Sequence, residues 1–155
     1  MTQRSVVHAT FTIERTYDFP PAKVFHAFAD PKAKARWFQG HWRASTFEMD
    51  FRVGGREVNR GGPKGGPVHA FQSRYQDIVP NERIIYTYDM EIDGKRISVS
   101  VATIEFKPAG AGTRLVLTEQ GAYLDGFHDP SQREQGTREL LDALDAALKR
   151  QAAAA

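Results

Sequence analysis

Residues 11–38, FTIERTYDFPPAKVFHAFADPKAKARWF, carry the patterns that most restrict the possible folds. Its beginning continues an alternation of apolar and polar residues that starts at Val7, and this period of two predicts a half-buried β-strand ending at Tyr17. The run PPAKVFHAFADP then repeats apolar residues at helical spacing. Asp30 and Pro31 have the residue types of an N-cap and a first helical position, so they predict a second short helix, PKAKARWF. Two short helices directly after the first strand are an unusual insertion.

From Trp42 to Tyr123 the pattern is that of strands and turns. The predicted strands are WRASTFEMDF, REVNR, VHAFQSRYQDIV, RIIYTYDMEI, KRISVSVATIEFK and TRLVLTEQGAY. Asp93-Gly94 is a strong two-residue hairpin signal, and sequential hairpins make the sheet antiparallel. In KRISVSVATIEFK the residues Ile97, Val99 and Val101 share one parity and the later apolar residues share the other. This change of phase predicts a β-bulge near Ala102-Thr103.

The C-terminal residues carry a leucine stripe, which predicts one long helix packed on the sheet. Leu141, Leu144 and Leu148 recur at i, i+3 and i+7. We expect residues 151–155 to form a frayed tail. The element order predicts an α+β fold with a curved antiparallel sheet of about six to seven strands, in a single domain spanning residues 1–155. A space between the sheet and the helix would suit a small apolar ligand.

Composition narrows the class of protein. The chain has 155 residues, of which 41% are hydrophobic and 26% charged, a formal net charge of +2 and no cysteine. Disulfides and cysteine nucleophiles are thereby excluded, and the small net charge argues against a nucleic-acid partner. The first residues carry no basic-then-apolar signal and no run of 18 apolar residues occurs, so we expect a cytoplasmic protein without a membrane partner.

Four stretches in register resemble one known family over nearly the whole chain. They are residues 11–38, FEMDFRVGGREV, YQDIVPNERIIYTY, and TRLVLTEQGAY followed by EQGTRELLDALDAAL. They are similar to the START/Bet v-like helix-grip superfamily (SRPBCC) of polyketide cyclases and lipid-transfer domains. Within it they resemble the family named for the activator of the 90-kDa heat-shock protein's ATPase, at its C-terminal domain. The resemblance implies a helix-grip fold, in which the sheet wraps around the last helix and leaves a hydrophobic cavity.

The chain departs from that family in two respects. Family helices commonly carry Gly-Trp where this chain has Gly136-Thr137, which by resemblance implies a roomier pocket at that end. The resemblance does not include the separate N-terminal domain of the heat-shock activator, so we do not expect its co-chaperone role here.

The glycine-rich stretch GGREVNRGGPKGGPVHAF suggests a phosphate loop, but its context argues against one. A Walker-type loop ends in GK[ST] and opens a helix, whereas Lys64 is followed by Gly65 and then by a predicted strand. We therefore interpret residues 60–67 as a hairpin loop at the cavity mouth whose role the sequence leaves open.

Several residues are candidates for lining the pocket, each with an alternative. His69 shares parity with Phe71 and Tyr75 and is either a structural histidine or a pocket acid/base. Tyr75, Tyr86 and Tyr88 are either core residues or pocket residues whose hydroxyls need partners. Glu119 is either an inward carboxylate with a raised pKa, a partner of Arg114, or a rim residue. Trp37 and Trp42, at the short-helix end, are either hydrophobic closure of the cavity or ligand contacts. The remaining apolar candidates are Phe71, Leu141 and Leu144.

Three hypotheses of function follow in order of preference. The first is binding of a small apolar or amphipathic molecule. The second is a cyclase- or hydrolase-like enzyme that uses His69, Glu119 or Tyr88 as general acid or base. The third is a protein-interaction module resembling the chaperone activator. The histidines lack metal-ligand spacing, so we predict no metal or cofactor, and no catalytic residue is assigned. The oligomeric state is not determined by the sequence, and a homodimer is one alternative.

Overall fold

The computed structural model describes residues 3–38 and 44–154. Its elements follow the predicted order of one strand, two short helices, six strands and one long helix. They are β1 (Val6–Tyr17), α1 (Pro21–Ala29), α2 (Pro31–Ala35), β2 (Ala44–Met49), β3 (Arg56–Gly61), β4 (His69–Val79), β5 (Arg83–Ile92), β6 (Lys95–Ala109), β7 (Gly112–Leu124) and α3 (Pro130–Ala154). The predicted α+β class is confirmed.

The seven strands form one antiparallel, curved sheet in the order β1-β7-β6-β5-β4-β3-β2. Helices α1 and α2 carry the chain from β1 at one edge to β2 at the other, and the chain then returns strand by strand until β7 pairs with β1. The Asp93-Gly94 turn joins β5 to β6. Both residues have positive φ, 51° and 78°, as the tight hairpin turn requires.

The short helices begin where the sequence predicts. The Asp30 side chain accepts a hydrogen bond of 2.9 Å from the Ala33 amide, and Pro31 occupies the first turn of α2. Just after α2, the Trp37 indole donates to the Ala27 carbonyl at 3.0 Å and its ring packs against Phe28. These contacts fix the segment after α2 against α1.

Helix α3 packs its leucine stripe onto the sheet, as predicted. Leu141, Leu144 and Leu148 are all at most 2% exposed, and the Tyr17 hydroxyl donates to the Leu141 carbonyl at 3.0 Å. The helix continues with exposed side chains through Ala154. Within the described part of the chain, no helix combines the length and the apolar character needed to cross a membrane.

The predicted bulge at Ala102-Thr103 is wrong. Pairing of β6 with β7 continues without a shift from Ser98 to Ala109, and pairing with β5 is also regular at these two residues. The shift lies at the other end of β6, where Met90 pairs with Ser98 but Glu91 pairs with Arg96. Ile97 is the extra residue of β6 at this shift, and its side chain is buried.

The bulge at Ile97 reverses the predicted orientation of half the strand. Val99 and Val101 lie on the outer face of the sheet, 46% and 36% exposed. The inward positions beside them are Ser98 and Ser100, which are buried. This end of the inner face is therefore polar instead of apolar.

Candidate functional site

A cavity of about 350 Å³ lies between the inner face of the sheet and α3. Most of its wall is aromatic or aliphatic and comes from α1, from the segment after α2, from β4, β5 and β7, and from the first half of α3. The apolar side chains in this wall are Phe28, Trp37, Phe38, Phe71, Tyr86, Tyr88, Met90, Leu117, Leu140 and Leu141. The cavity follows from two sequence features, the period-two strands that point alternate residues inward and a helix that spans them.

The aromatic rings of the cavity wall pack against one another. The ring of Phe71 lies with its centre 5.1 Å from that of Phe38 and 4.8 Å from that of Tyr88. Tyr86 and Tyr88, two residues apart on β5, have ring centres 5.8 Å apart. A packed aromatic wall loses little conformational entropy when a ligand binds, because its side chains are already ordered.

The structure brings most of the predicted pocket residues together. Those in the cavity wall are Trp37, His69, Phe71, Tyr86, Tyr88, Glu119 and Leu141. Tyr75 and Leu144 are buried in the core and do not line the cavity. Trp42 lies outside the described residues.

One end of the cavity wall is polar and centres on Glu119. Its Oε1 accepts a hydrogen bond of 2.7 Å from the Tyr88 hydroxyl. Arg133 of α3 donates from Nη1 to the Tyr88 hydroxyl at 3.0 Å and from Nη2 to Ser98 Oγ at 2.7 Å. The Nη1 atom also lies 3.7 Å from Glu119 Oε2, which makes an ion pair without a hydrogen bond. We call Tyr88, Ser98, Glu119 and Arg133 the polar cluster.

Burial dominates the electrostatics of the polar cluster. It raises the pKa of the Glu119 carboxyl even though Arg133 and the Tyr88 hydrogen bond act to lower it. Burial, followed by the nearby Glu119 carboxylate, also raises the pKa of Tyr88, so the phenol stays protonated and can donate. The alternative pairing of Glu119 with Arg114 does not occur, because Arg114 contacts Glu14 on the outer surface.

Arg133 is a candidate site residue that the sequence patterns did not single out. It lies one turn before Thr137 and two turns before Leu141, on the face of α3 that carries the leucine stripe. An arginine in line with an apolar stripe is the signal that could have identified it. A cationic side chain at this position needs a partner of opposite charge on the inner face of the sheet, and Glu119 is that partner.

A second buried polar group lies behind the cavity wall. Lys34 Nζ donates to Glu57 Oε1 at 2.7 Å, and the Tyr75 hydroxyl donates to the same oxygen at 2.5 Å. Lys34 is 2% exposed and Glu57 0%. The ammonium group also sits 4.1 Å from the centre of the Phe38 ring, a cation–π contact with a cavity residue. This ion pair positions the aromatic wall and was not predicted.

Two histidines, His69 and His128, also line the cavity. Burial lowers the pKa of both imidazoles, and Arg133 lowers that of His128 further. Both are therefore neutral at physiological pH. In residues 3–38 and 44–154 no group of three or more His, Asp or Glu side chains could hold a metal ion.

The glycine-rich loop connects β3 to β4 and reaches the cavity at both ends. Gly61 and His69 face each other across its base, and both line the cavity. At its C-terminal end, the Val68 amide donates to Asp93 Oδ1 at 2.9 Å, which ties the loop to the β5–β6 turn. The loop lies between two strands, as predicted, and it lacks the helix N-terminus that a phosphate loop uses.

A curved antiparallel sheet that packs against one long helix, with a mainly apolar cavity between them, is typical of a helix-grip protein. The family model described as "Activator of Hsp90 ATPase homolog 1-like protein" matches residues 18–149, and the chain belongs to this family. The predicted family resemblance is thereby confirmed.

Several solved structures share both sequence and fold with the chain. An uncharacterized protein of Rhizobium leguminosarum is 46% identical, with a TM-score of 0.92 over 96% of this chain and 99% of that one. A protein of Rhizobium loti is 50% identical, with a TM-score of 0.87 over 92% and 99%. A protein of Chromobacterium violaceum is 30% identical, with a TM-score of 0.78 over 90% and 96%. A comparison with curated proteins found no match.

Proposed function

We propose that the protein binds a small, mainly apolar molecule in the cavity between the sheet and α3. The observation that carries this proposal is the cavity itself, about 350 Å³ in volume and walled by packed aromatic rings. An engineered cavity of roughly 150 Å³ is enough to hold benzene. The volume here, more than twice as large, therefore suits a molecule of about two or three aromatic rings or a short branched chain.

The cavity favours ligand binding over the co-chaperone role to which the family name refers. Thr137 and Gly136 leave open space where the family's Gly-Trp pair, by resemblance, would place an indole ring. An interaction module would have no use for such a space. Partners for this protein are therefore sought first among small molecules.

Titration with N-phenyl-1-naphthylamine, a neutral dye that fluoresces in apolar surroundings, tests the proposal. We expect one dye molecule to bind each protein chain, as counted by native mass spectrometry. Thr137→Trp should fill the cavity and abolish the fluorescence increase. Gln135→Trp adds the same ring at an exposed position of α3 that does not line the cavity, and this control should bind as the wild type does. Equal binding by both variants would refute an internal site.

A second candidate function, general acid–base catalysis on a bound carbonyl compound, rests on the Tyr88–Glu119 contact of 2.7 Å. Glu119 would accept a proton from the carbon next to the carbonyl, and the electron pair would move to the carbonyl oxygen to give an enolate. The Arg133 guanidinium is the nearby cation that would stabilise this enolate. A raised pKa suits a carboxylate to proton transfer near neutral pH.

Hydrogen–deuterium exchange of 2-tetralone in D₂O, followed by proton NMR, tests this second function. The wild-type protein should accelerate exchange at the carbon next to the carbonyl, and Glu119→Gln should return the rate to that of buffer. Exchange at the buffer rate with the wild-type protein would exclude Glu119 as a base toward this class of compound.

A further inference from the structure

Building on the proposed function, we infer that the cavity selects a neutral ligand whose apolar body carries an O–H or N–H donor. The structure assigns Oε2 of Glu119 as the acceptor of that donor. Alcohols, phenols and amides of about two-ring size belong to this ligand class, whereas carboxylates and ethers without a donor do not.

Glu119 Oε2 is a buried acceptor without a donor. Glu119 is 3% exposed and lines the cavity, and no described residue hydrogen-bonds to its Oε2 atom. Arg133 Nη1, at 3.7 Å, lies beyond hydrogen-bond distance. Buried polar atoms in folded proteins are nearly always hydrogen-bonded, so this oxygen indicates a partner that arrives from the cavity.

The rest of the polar cluster fixes the carboxylate in place. Tyr88 occupies Oε1, and Arg133 holds the Tyr88 hydroxyl from one side. Arg133 is held in turn by Ser98. Rotation of the carboxylate would break the Tyr88 bond, so Oε2 is the oxygen left for a ligand. A binding group held in this way is preorganised.

The balance of charge selects a neutral molecule. Glu119 and Arg133 carry opposite charges 3.7 Å apart and compensate each other inside the protein. A bound anion would face the Glu119 carboxylate, and a bound cation would face Arg133. His69 and His128 add no positive charge, because burial lowers their pKa. Glu139 at the exposed rim adds a negative charge that further disfavours anions.

Four naphthalene probes of similar size separate the possibilities. We would measure their displacement of N-phenyl-1-naphthylamine at pH 8, which favours ionised Glu119. The probes are 2-naphthol, which has a donor, 2-methoxynaphthalene, which has only an acceptor, 2-methylnaphthalene, which has neither, and 2-naphthoate, which is an anion. We expect 2-naphthol to bind about tenfold or more tightly than the ether, because a hydrogen bond to a charged group is among the strong ones. The naphthoate should bind most weakly.

The Glu119→Gln substitution replaces the acceptor oxygen Oε2 with an N–H donor. Tyr88 would keep the amide oxygen, and the amide N–H group would face the ligand, so the preference for 2-naphthol over the ether should vanish or invert. Glu134→Gln is the matched control, since Glu134 lies on α3 outside the cavity wall and pairs with Arg138. It should keep the wild-type order.

The outcomes distinguish this inference from the function on which it rests. Binding of all four probes with equal affinity would overturn the donor preference and leave ligand binding standing. Tightest binding of the naphthoate would also overturn it. If the dye binds but none of the probes displaces it, the donor preference fails and ligand binding stands. If the dye does not bind to the wild-type protein, the proposed function fails and the inference fails with it.

Discussion

Gly136→Leu should make the protein more stable and at the same time weaken ligand binding. Gly136 lies within α3 on the cavity side, and a Cβ atom built there meets nothing within 4 Å. The substitution therefore adds a side chain to empty space without a clash. Most cavity mutations that disturb binding also destabilise the fold, so the opposite signs expected here are a strict test.

The magnitude has two parts. Replacing glycine by a good helix former in a helix interior contributes about 1 kcal/mol. A fully buried leucine side chain contributes roughly 1.5–3 kcal/mol, and the half-buried position of Gly136 reduces this to about 1 kcal/mol. The free energy of unfolding should therefore rise by about 2 kcal/mol, which in a domain of this size raises Tm by about 4–8 °C.

Gly136→Ala separates the two parts. It gains the helix propensity but adds a single methyl group, so Tm should rise by about 2–4 °C. Dye affinity should stay within about threefold of the wild type for alanine and fall by about tenfold or more for leucine. Thermal unfolding and dye titration measure both quantities. A leucine variant that is less stable, or one that binds the dye as well as the alanine variant does, would refute the open space assigned to this position.

Three further predictions concern the buried groups. Because burial raises the pKa of Glu119 in the folded state, the native protein takes up its proton more readily than the unfolded chain. As pH falls from 8 through the folded pKa toward about 4.3, the free energy of unfolding of the wild type, measured with urea, should therefore rise relative to that of Glu119→Gln. A fall relative to that variant would contradict this. Lys34→Met should lower the free energy of unfolding in urea by about 3–5 kcal/mol, because it leaves the Glu57 carboxylate without its charged partner. Adding Glu57→Leu should restore much of this loss. A loss below about 1 kcal/mol for Lys34→Met would contradict the buried ion pair. Ile97→Ala should lower the free energy of unfolding by about 2–4 kcal/mol, because Ile97 is buried, and Val101→Ala by less than about 1 kcal/mol, because Val101 is exposed. Equal losses would argue against the bulge at Ile97.

Much of the fold follows from local patterns in the sequence. The alternation in β5 predicts that Tyr86 and Tyr88 point inward, and they do. The leucine stripe of α3 and the Asp30 cap of α2 also form as predicted. These features depend on residues within a few positions of each other, and the period of a helix or strand carries that information.

The phase of β6 could not be predicted in the same way. Ile97 is apolar and has the parity of Val99 and Val101, so pattern alone groups the three residues. The bulge that separates them is set by the pairing of Met90 and Glu91 on the neighbouring strand. Register between strands is a property of two segments, and a single segment does not reveal it.

Of the four residues in the polar cluster, the sequence patterns single out only Tyr88 and Glu119 as site candidates. Parity made Tyr88 and Glu119 candidates for the inner face, with other positions left open for Glu119, but their shared partner Arg133 lies on another element. The Lys34–Glu57 pair joins α2 to β3 across 23 positions of sequence. A charged side chain is by default expected in solvent, so buried ion pairs between distant elements become visible only when the fold brings them together.

A titration of the methyl-labelled protein with 2-naphthol, followed by carbon–proton NMR, tests whether a ligand binds between the sheet and α3. We expect saturable shifts of the methyl signals of Met90, Leu117 and Leu141, which line the cavity. The methyl signals of Val99 and Val101, on the outer face of the sheet, should not move. Shifts confined to the outer valines, or no shift at any of these methyl groups, would contradict a ligand site between the sheet and α3.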